Sequence, residues 1–165
     1  MDEVTEFPIR EKEVNKENFI GRVIQSRFHD KEDSLSKNIY YVTFIEGSRT
    51  KFHTHKSDQT LIATDGIGKL AIGEITNQID DRRCEIKVTK EIVLLPKNAV
   101  HIPAGTYHCH GSAQKEIEFT HLAINGRLSN NTDWFEERWK TDSPQMLFTS
   151  SIKDHIITLI KSDQK

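Results

Sequence analysis

The sequence predicts an all-β protein built around one core. Three observations carry this. Short apolar or alternating runs begin at Phe19, turn signals separate them at close intervals, and no helical period is needed before residue 130. The turn signals are Gly21, the polar loop from His29 to Asn38, Glu46-Gly47, Asp65-Gly66, Asp80-Asp81, Pro96-Lys97-Asn98 and Pro103-Ala104-Gly105. Such spacing marks a β-sandwich or barrel, and 165 residues suit a single domain.

Taken in order, residues 1–17 are mostly charged or polar, with Glu11-Lys12-Glu13 and Asn15-Lys16-Glu17, and offer little to bury. They read as a flexible N-terminal arm, or one ordered by a partner subunit. Residues 18–128 read as the sandwich or barrel. Its expected strands include Tyr40–Ile45, Lys51–His55, Thr60–Thr64, Gly68–Ile75, Cys84–Thr89, Ile92–Leu95, His108–His110 and Phe119–Asn125. Residues 129–165 read as a C-terminal helical extension packing on the barrel or a dimer partner. Asp133 followed by Glu136 resembles a capping box opening a short helix through Trp139. Ser143-Pro144 could start a second helix or the turn before it, and Ile152, Ile156, Ile157 and Ile160 recur at helical spacing.

Bulk properties narrow the function. A formal charge of -2 with both signs interspersed leaves no basic stripe for a run of phosphates, so nucleic acid is not expected as a partner. No stretch approaches the roughly 20 apolar residues of a membrane span, and Met1 to Glu6 lacks the regions of a signal peptide. The expected location is the cytoplasm. Cys84 and Cys109 cannot form a disulfide framework and are expected as free thiols.

The histidines carry the chemistry. His53-Thr54-His55 lies in a segment of strand-like composition, where residues i and i+2 share a face, so both imidazoles can converge on one point. Gln59 follows the polar turn Lys56-Ser57-Asp58 and brings a carboxamide oxygen beside them. His108-Cys109-His110 repeats the arrangement directly after Pro103-Ala104-Gly105. Imidazole nitrogens with an amide oxygen suit manganese, iron, cobalt, nickel or zinc, whereas calcium and magnesium favour all-oxygen shells. Strand alternation turns Cys109 away from both flanking histidines, toward packing. His29 and His101 read as surface residues, and His155 is given no role.

These residues resemble the cupin family. Its first motif runs Gly, five residues, His-x-His, three or four residues, Glu, six residues, Gly; Gly47, His53, His55, Gln59 and Gly66 occupy those positions, with Gln for Glu. In the second motif Pro103, Gly105 and His108 match, while Lys97 replaces a Gly, Asn98 an Asp and Gly111 an Asn. The implied fold is a single-domain cupin, a double-stranded β-helix or jelly-roll barrel, here with short C-terminal helices. Its implied ligands for one divalent metal ion are His53, His55, Gln59 and His108.

Gln59 narrows the likeness to small cupins with a His-x-His-x-x-x-Gln site, the manganese-dependent hydroxynitrile lyases and their uncharacterised relatives. The resemblance covers roughly Asn18 to Trp139 and includes Thr120-His121-Leu122-Ala123-Ile124 and Asp133-Trp134. By that likeness manganese is the first expectation for the metal. His121 and His110 would line the cavity, His121 as the candidate general base, with a purely orienting or space-filling role as its alternative. The pocket wall would include Tyr40, Val42 and Asn125, where the lyases carry a small residue in place of Tyr40 and a glutamine in place of Asn125. One extra residue also lies between His108 and His121.

A neutral Gln ligand leaves the ion its full charge, which favours Lewis-acid chemistry over redox cycling. The expected function is a metal-dependent lyase acting on a small hydroxy or carbonyl compound. The alternatives are an iron-dependent cupin dioxygenase and a non-catalytic small-ligand or metal-binding cupin. A homodimer is expected.

Overall fold

A computed structural model of the chain describes residues 12–14, 17–27, 37–126, 132–139 and 156–162. All regular structure among them is strand: β1 (Lys12–Glu13), β2 (Phe19–Arg27), β3 (Lys37–Thr50), β4 (His53–His55), β5 (Gln59–Gly66) and β6 (Gly68–Gln78), followed by β7 (Arg83–Leu94), β8 (Ala99–Ile102), β9 (Tyr107–Ser112), β10 (Phe119–Gly126), β11 (Thr132–Trp139) and β12 (Ile156–Lys161). Neighbours run β4-β11-β12-β7-β6-β9-β3-β10-β5-β8, with β2 beside β3 and β1 beside β2. The pair His53↔His108 joins β4 back to β9 and closes the path into a barrel.

Alternation along β6 and β9 sorts the interior into two apolar clusters. Leu70 faces one cluster, with Val42, Phe44, Leu61, Phe119 and Ala123. Ala71 and Cys109 face the other, with Phe52, Cys84, Ile86, Phe135 and Leu159. Both strands therefore bury both faces, and His108 and His110 fall on the side opposite Cys109.

The C-terminal segments differ from the helical expectation. Thr132–Trp139 is a strand paired with β4 through Thr132↔His55, Asp133↔Thr54 and Trp134↔His53. Ile156–Lys161 is a strand inserted between β11 and β7. The capping-box pattern is overruled because Phe135 and Leu159, 7% and 0% exposed, complete the second apolar cluster only from extended backbone. Pairing also satisfies the edges of β4 and β7, and the β-branched run Ile156-Ile157-Thr158 suits a ladder. Ser143-Pro144 and Ile152 lie outside the described residues, as do His29 and His155. The described part of the N-terminal arm, Lys12–Glu13, pairs with Gln25 and Ile24 of the same chain.

Other boundaries shift in both directions, β4 starting at His53 rather than Lys51. β3 extends well beyond Tyr40–Ile45, and the two expected strands Cys84–Thr89 and Ile92–Leu95 merge into β7. Gly66 has φ +70, and a Cβ there would meet the Glu118 carbonyl oxygen at 1.9 Å, so only glycine closes β5. Lys97, where the family motif has glycine, also holds φ 76. Its turn is kept by Asn98, whose backbone N–H donates to Leu95 O and whose Oδ1 accepts from Leu95 N–H.

Candidate metal centre

β4 presents His53 and His55 on one face, both buried. A clamp holds the hairpin that follows. Gly105 N–H donates to His55 O, Ala104 N–H to Asp58 Oδ1, and Gly126 N–H to Asp58 O. The turn of the second motif and the end of β10 are thus tied to the turn of the first. Gln59 opens β5 directly beyond this clamp, and His108 lies across from His53 on β9. The ring of His53 is 4.2 Å from that of His108 and 4.9 Å from that of His55.

Hydrogen bonds fix the ring tautomers. His53 Nδ1 lies 2.8 Å from Lys51 O, and His108 Nδ1 lies 2.8 Å from Thr106 O. A carbonyl only accepts, so both Nδ1 atoms carry protons and both Nε2 atoms keep bare lone pairs. Burial also keeps the rings neutral. It lowers His53 well below the usual imidazole range, His108 to about 3 and His55 to about 4.

Gln59 Oε1 sits 3.1 Å from His108 Nε2. The Gln59 amide nitrogen donates to Asn125 Oδ1 at 2.9 Å, which turns the oxygen toward the cluster. Two acceptors therefore face each other in a buried site. His55 Nε2 and His110 Nδ1 are also buried without a hydrogen-bond partner. Converging lone pairs of this kind fit a divalent cation, since an unpartnered buried acceptor otherwise costs about 1–3 kcal/mol. The residues present thus fit the implied metal. His53, His108 and His110 form a group whose ligand nitrogens all lie within 4.8 Å of one another. His110, expected only at the cavity wall, is therefore close enough to join the donor set.

A cavity of about 220 Å³ opens beside the cluster. His110, His121, Tyr40, Val42 and Asn125 are among the residues that line it. The ladder explains why. Val42 and Ala63 flank His121 in register, Tyr40 and Leu61 flank Ala123, and Gln59 lies opposite Asn125. His121 is fully buried beside the rings of Phe44 and Phe119, at 5.5 and 5.3 Å, and neither of its nitrogens has a partner. Burial lowers its pKa to about 3, so it is neutral. The ring of His110 stands edge-on to it at 5.0 Å.

Sequence reasoning missed three contributors. Trp134 stacks on His53 at 4.4 Å and lines the cavity, and Thr132 Oγ1 lies 2.9 Å from His55 Nδ1. Both come from β11, so reading that segment as a helix hid them. The third is a buried pair under the site. Arg49 Nη1 and Nη2 donate to the two oxygens of Glu137 at 2.9 and 2.5 Å, and Phe52 N–H donates to the same carboxylate. His101 is exposed near Asp58. Cys84 and Cys109 are both free and buried, and burial pushes the Cys109 thiol up to about 12. No helix among the described residues is long and apolar enough to cross a membrane.

A closed antiparallel barrel with this histidine-lined interior is a cupin fold, and solved structures agree. A cupin-like protein from Thermotoga maritima superposes with a TM-score of 0.60 at 24% identity, over 81% of this chain and 88% of that one. Bacillus subtilis oxalate decarboxylase, a protein with Mn(II) centres, gives 0.54 at 12% identity, over 76% of this chain and 30% of that one. Among curated proteins, an (R)-mandelonitrile lyase from Granulicella tundricola is 38% identical over 96 residues, 58% of this chain. That alignment spans 62% of the relative's length. No family model matches the chain.

Proposed function

We propose that the cluster of His53, His55, Gln59 and His108 holds one divalent transition-metal ion, and that the protein is a lyase acting on a small hydroxy or carbonyl compound, of the hydroxynitrile kind. The observation that carries the metal reading is the opposition of the Gln59 and His108 lone pairs at 3.1 Å. Manganese is the first choice, and iron, nickel, cobalt and zinc suit the same donors. The lyase reading draws on the similarity to the mandelonitrile lyase and on an unpartnered neutral imidazole, His121, in the cavity wall.

When bound, the ion supplies Lewis acidity that polarises a substrate oxygen. The chain's own part centres on His121. In cyanohydrin cleavage the hydroxyl proton passes to its ring nitrogen, the oxygen electrons form the carbonyl, and the C–C bonding pair leaves with cyanide. Burial disfavours imidazolium at His121, so the proton is handed on to the departing anion rather than kept. Tyr40, Val42 and Asn125 bound the space left for the carbonyl product. A homodimer in the cytoplasm belongs to the same reading and is tested by gel filtration with light scattering.

The deciding experiment is elemental analysis of the purified protein together with cyanohydrin turnover by wild type and His121→Ala. The expected result is lost turnover at unchanged metal content. Turnover that survives the substitution removes His121 from the role of base. Iron with substrate-dependent oxygen uptake would replace the lyase by a dioxygenase.

A further inference from the structure

We propose that Asn125 is the positioning residue that decides which end of the Gln59 amide faces the metal-binding cluster. The inference rests on the metal reading above and deepens it. Asn125 and Gln59 are direct cross-strand partners on β10 and β5, both buried on the inner face of the barrel. The Gln59 amide nitrogen donates to Asn125 Oδ1 at 2.9 Å, and the remaining end of the amide, Oε1, lies toward His108 Nε2.

A carboxamide has one end that can ligate a cation and one that cannot, and the two are nearly equal in size. Rotating the Gln59 amide by half a turn would aim its N–H groups at His108 Nε2, a bare acceptor that would take the hydrogen bond. That arrangement is self-satisfied without any ion and competes with metal binding. Asn125 opposes it by presenting its oxygen to Gln59, which must then present a nitrogen. The two amides are coupled, since reversing one leaves two oxygens or two NH2 groups in contact unless the other reverses as well. A carboxylate at position 59 needs no such partner, because either of its oxygens ligates. The pairing is the structural counterpart of having Gln, rather than Glu, in the first motif.

The test is calorimetric titration of the full chain with Mn(II), with Co(II) absorption as a spectroscopic readout of the ligand set. Asn125→Leu and Asn125→Ala should bind Mn(II) about 10- to 100-fold more weakly and alter the Co(II) d–d bands. Asn125→Asp, which can only accept, should retain wild-type affinity or better. In a Gln59→Glu background the Asn125→Leu substitution should cost little. The proposal is overturned if Asn125→Leu and Asn125→Ala both bind as tightly as wild type, if Asn125→Asp falls as far as they do, or if the loss is equal in the Gln59→Glu background. Wild-type protein that binds neither ion would remove the metal reading and this inference together. Thermal melts of the metal-free variants identify any loss that is merely unfolding.

Discussion

Gln59 Oε1 and His108 Nε2 face each other at 3.1 Å, two lone pairs in a buried site with no proton available to either. The arrangement is unfavourable by itself and becomes favourable with a cation near both. A metal that binds the folded chain and not the unfolded one adds about 2.7 kcal/mol at a hundredfold excess over Kd. For a chain of this size that corresponds to a rise in Tm of about 5–10 °C. Differential scanning fluorimetry before and after chelation, with Mn(II) restored afterwards, measures it. An unchanged Tm would mean the cluster holds no ion.

Acid should unfold the metal-free protein early. His53, His55, His108, His110 and His121 are all held neutral by burial, with folded pKa values depressed below 6.5. The unfolded chain takes up protons as pH falls through about 6.5, while in the folded chain His55 resists down to about 4, His108 and His121 to about 3, and His53 and His110 well below the usual imidazole range. Stability is therefore full above 6.5 and declines below it, each histidine contributing up to about 1.4 kcal/mol per pH unit. With metal bound the fall is steeper, since protons compete for the same nitrogens. Urea midpoints at pH 7.5, 6 and 5 would show the trend, and a flat profile would contradict the buried neutral rings.

Glu137 should matter far more than an acidic residue on a strand usually does. Its side chain and that of Arg49 are each 3% exposed, and the carboxylate also accepts from Phe52 N–H. Glu137→Ala leaves a buried guanidinium without its carboxylate, a loss of about 3–5 kcal/mol. Chemical denaturation reads it directly. A cost below about 1 kcal/mol, the range of exposed pairs, would place the pair in solvent.

Lys97 occupies a left-handed turn position with φ 76 and is exposed. Lys97→Gly should stabilise the protein by about 0.5–1 kcal/mol, the strain relieved exceeding the added entropy of the unfolded chain. A rise of about 1–4 °C in Tm would report it, and a fall would mean the Lys97 backbone relaxes out of that region.

The sequence by itself determined the all-β class and the sharing of strand faces by the paired histidines, because both are written in local spacing. Alternation puts His53 on one face with His55 and His108 with His110, and the turn residues around Gly66 and Gly105 set where strands end. What it misread was equally local. Asp133 with Glu136, and Ile156, Ile157 and Ile160, satisfy helix rules within their own windows. Only the tertiary structure decided that these segments are strands, since their reward is the burial of Phe135 and Leu159 against β7 and β9 and the pairing of the β4 edge. That choice places Trp134 on His53 and Glu137 on Arg49. The same holds for the orientation of Gln59, which depends on Asn125 across the sheet. Residues far apart in the chain meet only when the ladders close, so no local pattern records them.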